Sequence, residues 1–129
     1  SWQVTDLGEL LDGQRERLRR NGFQVDLQYQ PGPATLRPAL RQAVGRFLLE
    51  GTTNIVKHAT PGGRCLVSLT HDGDLVEVTL VNDAPDGRNV NRDGLGLLGA
   101  RERIEALGGE VAVLSAQGRW SLRAALPIV

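Results

Sequence analysis

The chain has almost no cysteine, no net charge and no long apolar run, and each lack closes off a class of function. One cysteine, Cys65, stands among 129 residues. No internal disulfide framework can form, and no structural zinc site needing two or more cysteine ligands can come from this chain. The setting Cys65-Leu66-Val67-Ser68-Leu69 reads as a packed strand thiol rather than a nucleophile. Fifteen basic side chains offset fifteen acidic ones, for a formal net charge of zero. That argues against a nucleic-acid binder working through a broad basic surface, and leaves room for a local anion pocket. No stretch approaches the roughly 18 consecutive apolar residues of a bilayer span, and no signal-peptide pattern opens the sequence. A cytoplasmic location without direct membrane contact is therefore expected. What is present is ordinary: 40% hydrophobic and 23% charged residues, enough for one domain over 1–129 with a real core.

Residues 2–20 read as a helix, with Leu7, Leu10, Leu11 and Leu18 at helical spacing, Thr5 or Asp6 as cap and Asn21-Gly22 as its end. Gly13 weakens its middle. Residues 23–29 alternate as a half-buried strand, which Pro31-Gly32-Pro33 breaks. From Leu36 to about Ala59 the residues Leu36, Leu40, Ala43, Val44, Phe47, Leu48 and Ile55 repeat with helical period, and Pro38 fits only its first turn. Gly51 lies on that stripe at a cost of about 1 kcal/mol relative to alanine, acceptable where a strand or a ligand packs against the backbone. Thr60-Pro61-Gly62-Gly63 closes the element. Residues 64–71 and 75–81 alternate around Asp72-Gly73-Asp74 as a hairpin. Residues 84–93 have no periodicity and read as a mobile loop. Gly94-Leu95-Gly96-Leu97-Leu98-Gly99 leads into a helix over 100–107, and 110–115 with 120–126 form a last hairpin around Gln117-Gly118. The order predicts an α+β two-layer sandwich, with three helices on one face of a mixed, mostly antiparallel sheet.

Three places can carry chemistry. Glu50, Asn54 and Lys57 fall at i, i+4 and i+7, so a carboxylate, an amide and an ammonium share one stripe. They can serve as base, metal ligand and phosphate contact; the plain alternative is a solvated face with ordinary helical pairs. Asp83 ends a strand, where it can accept from an exocyclic amine or simply start an Asx turn. The glycines at 94–99 let backbone amides approach a phosphate at a helix N-terminus, or mark a plain loop-to-helix junction. They lack the Gly-Lys-Ser/Thr of a Walker A loop and the spacing of a dinucleotide fingerprint.

Together, in this order, the segments resemble the ATP-binding catalytic domain of bacterial sensor histidine kinases, a Bergerat fold shared with gyrase, a heat-shock chaperone and the MutL repair ATPases. Glu50-Gly51-Thr52-Thr53-Asn54-Ile55-Val56-Lys57-His58-Ala59 resembles the N box, and Val81-Asn82-Asp83 the first glycine box. The run from Gly94 to Gly109 resembles the second glycine box and its helix, and with Arg-Ala-Ala-Leu-Pro at 123–127 it is similar to the short-lid nitrate-sensor and desaturase-sensor subfamily. The resemblance runs from Leu7 onward. It implies that Asn54 coordinates a Mg2+ bridging the ATP phosphates, that Glu50 polarises water or shapes that ion's surroundings, and that Lys57 contacts a phosphate, helped by His58. It further implies that Asp83 meets the adenine amine, with Gly87 as the nearest glycine after it. Gly94, Leu95, Gly96 and Leu97 would line the phosphates. ATP and Mg2+ are the implied cofactors, and phosphoryl transfer the implied chemistry.

The sequence departs from that pattern in places. No glycine directly follows Asp83, whose successors are Ala84-Pro85-Asp86-Gly87. Gly51-Thr52 replaces a small apolar pair, which predicts a distorted helix or a wider pocket. The threonine usual before the last strand is missing, with Trp120 or Ser121 in its region. The resemblance places the phosphoacceptor histidine on a dimerisation domain upstream of this catalytic domain, with a response regulator downstream, and neither His58 nor His71 suits that role. The isolated domain is expected to be monomeric and unable to phosphorylate itself. The alternative reading is a binding module of the same fold, anti-sigma-factor-like or a scaffold, with weak or no ATP turnover.

Overall fold

In the computed structural model the described residues are 4, 6–30, 36–84 and 94–128, without the side chains of Gly94 and Leu95. Thr5, the Pro31-Gly32-Pro33 break, Gly87 and the loop beyond Ala84 lie outside them. The elements follow the expected order: α1 (Leu7–Arg20), β1 (Gln24–Tyr29), α2 (Pro38–His58), β2 (Arg64–Asp72), β3 (Leu75–Asp83), α3 (Gly94–Ala106), β4 (Glu110–Ala116) and β5 (Arg119–Pro127).

Helix α1 starts at Leu7 rather than near position 2. Asp6 is extended and its Oδ1 accepts from the Glu9 N–H at 3.2 Å, so the cap defines the first turn just where the leucine repeat begins. The helix runs unbroken through Gly13. It ends where Gly22, at φ 90°, lets the N–H groups of Gly22 and Phe23 return to the carbonyls of Arg19 and Leu18. Helix α2 begins at Pro38, whose missing N–H costs nothing in the first turn.

The sheet order is β1-β2-β3-β5-β4, with β1 parallel to β2 and every other pair antiparallel. Alternation gives the sheet one buried face: Cys65, Val67 and Leu69 of β2, Val76, Val78, Leu80 and Asn82 of β3, and Trp120, Leu122, Ala124 and Leu126 of β5. Leu11 and Leu18 of α1, Leu40, Val44, Phe47, Leu48 and Ile55 of α2, and Ile104 of α3 complete the core. The opposite face carries Glu77 and Arg123, paired at 2.9 Å.

Gly51 faces the sheet at Leu80 of β3 and Leu122 of β5. A Cβ there would stand 3.0 and 3.2 Å from the Leu80 methyls and 3.3 Å from Leu122 Cδ2. The backbone is approached by strands, not by a ligand. Thr52 is fully buried, and its Oγ1 lies 2.7 Å from Gln14 Oε1 and 2.9 Å from the Leu48 carbonyl, with one hydroxyl proton to donate between them. Arg17 Nη1 donates to Thr53 Oγ1 at 3.0 Å. The Gly51-Thr52 pair therefore causes no break in α2. It turns a bare backbone to the sheet and a hydroxyl to α1.

Gly51→Val is expected to overpack this contact and lower stability by about 1–3 kcal/mol in urea unfolding. An unchanged midpoint would mean that α2 does not rely on close approach at this position.

Candidate functional site

The α2 stripe has a buried middle and a wet end. The Glu50 side chain is 24% exposed, Asn54 is 8% exposed, and Lys57 in the last turn is exposed. Glu50 Oε1 lies 3.5 Å from Arg46 Nε one turn back. Among the described residues Asn54 has no side-chain hydrogen bond, so a buried amide keeps its full bonding capacity. His58 is half-buried beside Lys57.

The glycine-rich segment is helix from its first glycine. Helix α3 starts at Gly94 and takes in Gly96 and Gly99, where the sequence suggested a lead-in to a helix at 100. Each glycine costs roughly 1 kcal/mol in a helix interior. Burial of Leu97, Ala100 and Ile104 against the core offsets that cost. The early start puts Gly96 directly against Glu50. A Cβ at 96 would overlap Oε2 and stand 2.8 Å from Cδ and 3.1 Å from Oε1. The N-terminal N–H groups of α3 have no acceptor within their own helix, and the Glu50 carboxylate lies at this positive end. Two stretches more than forty residues apart thus form one polar corner, made of Glu50, Asn54 and the first turns of α3.

Asp83 is elsewhere. It is the last residue of β3. By alternation it shares the face of Thr79 and Val81, away from the helices. Its Oδ2 accepts from the Arg64 N–H at 3.1 Å, its Oδ1 is 3.9 Å from Arg119 Nε, and its side chain is 41% exposed. Its carbonyl takes the Thr60 N–H at 2.9 Å, tying the chain beyond α2 to β3. Burial, and then the charge of Asp83, push the Cys65 thiol up to about 11, which leaves it a neutral packed group. Gly87 lies outside the described residues, as does the side chain of Leu95; Leu97 is buried.

The residue that the sequence reading passed over is Asn82, 3% exposed and on the helix-facing side. The signal was available: the buried alternation Val76, Val78, Leu80 extends to 82, not 83. Among the described residues no group of three or more His, Cys, Asp or Glu could hold a metal. A cation here would have few protein ligands.

No protein-family model matches the chain. Over 101 residues, 78% of its length, it is 30% identical to the signal transduction histidine-protein kinase/phosphatase UhpB of Salmonella typhimurium, and it spans 20% of that relative's length. The nucleotide-free catalytic domain of histidine kinase ThkA matches with a TM-score of 0.74 and 16% identity, over 95% of this chain and 94% of that one. Full-length ShkA in complex with AMPPNP matches with a TM-score of 0.75 and 22% identity, over 99% of this chain and 31% of that one. The fold of this chain is that of the histidine kinase catalytic domain.

Gly96→Ala is expected to be destabilising through its clash with Glu50, and to lose that penalty in a Glu50→Ala background. A double-mutant cycle by urea unfolding should give a coupling of roughly 0.5–3 kcal/mol. Strict additivity would place Glu50 away from α3.

Proposed function

We propose that this chain is the ATP-binding catalytic domain of a two-component sensor histidine kinase, holding Mg2+-ATP and presenting its γ-phosphate to a histidine on the parent's dimerisation domain. The observation that carries this reading is the corner where Glu50 rests on Gly96, in a chain with the fold of such domains. Its sequence likeness to UhpB agrees, as does the nucleotide analogue named for ShkA.

The roles follow from the corner. The bare N–H groups at the start of α3, at Gly94 through Leu97, suit phosphate oxygens. A carboxylate so close to bound phosphate would repel it unless a cation stood between them. The donor set fits Mg2+, which keeps several waters and binds through one or two protein groups plus phosphates. Asn54 Oδ1 would be its ligand, with Glu50 holding one of its waters. When bound, the ion would supply neutralisation of the phosphate charge. Lys57 and His58, at the wet end of the stripe, would meet the outer phosphates. Catalysis then consists of positioning and charge neutralisation, with no covalent work for this chain's side chains. The resemblance assigns the adenine amine to Asp83. With its Oδ2 on the Arg64 N–H, Asp83 fits better as the brace between the end of β3 and the start of β2. Gly87 and the short lid of the nitrate-sensor-like subfamily remain part of the reading through resemblance alone.

No helix among the described residues is long and apolar enough to cross a membrane. A domain fed by ATP belongs on the cytoplasmic side, with the acceptor domain and a response regulator as its partners. Neither histidine of this chain fits as acceptor: His58 flanks the phosphate end, and His71 Nδ1 is bound at 3.0 Å to the Gln30 carbonyl.

Calorimetry with Mg2+-ATP tests the reading. The unmodified domain should bind, and Asn54→Ala should bind on the order of 10–100-fold more weakly, the worth of one contact to a charged group. No heat from the unmodified, folded domain would leave a non-catalytic binding module as the surviving account.

A further inference from the structure

We propose that the start of α2 is a docking notch for extended backbone, that its occupant is the chain's own segment at Val4, and that this contact is a latch which opens without unfolding the domain. The latch needs no nucleotide. Its use as a tether rests on the proposed function, which puts an acceptor domain upstream.

Val4 precedes the first helix, yet it is buried like a core residue, at 5% exposure. Both ends of the Gln42 amide read its main chain. The Val4 N–H donates to Gln42 Oε1 at 2.8 Å, and Gln42 Nε2 donates to the Val4 carbonyl at 2.7 Å. Arg41 Nε donates to the same carbonyl at 2.9 Å. An amide set this way supplies the donor and the acceptor that a neighbouring strand would supply. Turned over, it would set oxygen against the Val4 carbonyl and NH2 against the Val4 N–H, so its orientation is fixed.

The Val4 side chain fills a notch that exists because position 45 is glycine. A Cβ there would stand 2.5 Å from Val4 Cγ2, 3.2 Å from Val4 Cβ and 3.4 Å from Leu10 Cδ2. Gly45 is buried inside α2, where glycine weakens a helix. The helix itself gains nothing from it. A valine seated against α2 beside Leu10 does.

The contact is separable from the fold. The hydrogen bonds of Val4 go to Arg41 and Gln42 of α2. Helix α1 has its own cap downstream of the latch, Asp6 Oδ1 on the Glu9 N–H. Opening at Val4 therefore stops at Asp6 and leaves α1, with Leu11 and Leu18, on the core. One buried side chain and these bonds stand against the freedom that the segment regains, a small balance of the kind that local opening draws on. Extended, the chain from Val4 to Leu7 spans about 10 Å. In a sensor kinase that length separates a catalytic domain held at its entry point from one with more reach toward the acceptor histidine.

The test is native-state amide hydrogen exchange on the whole chain, with urea kept below the unfolding transition. The Val4 amide should be protected, yet exchange about tenfold or more faster than those of Leu11 and Leu48, and with little dependence on urea. Gln42→Ala should speed Val4 exchange on the order of 10–100-fold and leave Leu11 and Leu48 unchanged. Gly45→Ala should also free Val4, by displacing its side chain, while the urea midpoint of the core holds or rises because alanine is the better helix former. A nitroxide on Ser1→Cys should broaden amides in the first turns of α2, and broaden them far less once Gly45→Ala is added. An unprotected Val4 amide in the unmodified chain overturns the notch. Val4 exchange that keeps pace with Leu11 and Leu48, and rises with urea as theirs does, overturns the latch. So does a core midpoint that falls together with Val4 protection in Gly45→Ala. None of these rates depends on nucleotide, so a failure to bind Mg2+-ATP would overturn the proposed function and leave the latch standing.

Discussion

Helix α2 can lie where it does because position 51 has no side chain. Leu80 and Leu122 fill the space that a side chain there would need, and the helix settles onto the sheet with its remaining faces committed. One face, through Thr52 and Thr53, is bonded to Gln14 and Arg17 of α1. The face bearing Glu50 and Asn54 is left toward the start of α3. A larger residue at 51 would lift α2 off Leu80 and Leu122 and carry Glu50 away from Gly96. The glycine's cost to the helix, about 1 kcal/mol, thus underlies both the core and the site.

The electrostatics of the corner follow the same economy. Among the described residues it holds a single carboxylate, held by Arg46 and set at the positive end of α3, together with neutral amides. Such a set is well matched to a polyanion accompanied by a divalent ion, since it adds little repulsion and leaves the ion's charge to the phosphates. The carboxylate at the end of the central strand, Asp83, is bonded to the Arg64 N–H and adds to the effect of burial in raising the pKa of the Cys65 thiol, rather than entering the corner.

The order of elements was legible from alternation and helical period, because each strand has one wet face and each helix one apolar stripe. Glu50 and Asn54 were legible through the same period. The meeting of Glu50 with Gly96 was not, since nothing local in either segment specifies a contact across that separation. The helical state of 94–99 was hidden because glycine propensity argues against it, and burial of Leu97 and Ala100 outweighs propensity. Thr52 read as a flaw while its partner Gln14 was thirty-eight residues away. Asn82 was within reach of a strict count of alternation. The neighbouring carboxylate drew the assignment by its chemistry, although its parity sets it on the face away from the helices.

The central claim is that one corner, bounded by Glu50, Asn54 and the first turns of α3, receives the nucleotide. The most direct measurement is a nitrogen–proton correlation spectrum of the labelled domain titrated with Mg2+ and a non-hydrolysable ATP analogue. The account predicts saturable shifts in the side-chain amide of Asn54 and in the backbone amides of Leu95 to Leu97, with the α1 residues Gln14 and Arg17 unmoved. Shifts confined to the open face around Glu77 and Arg123, or no saturable shift at all, would contradict it.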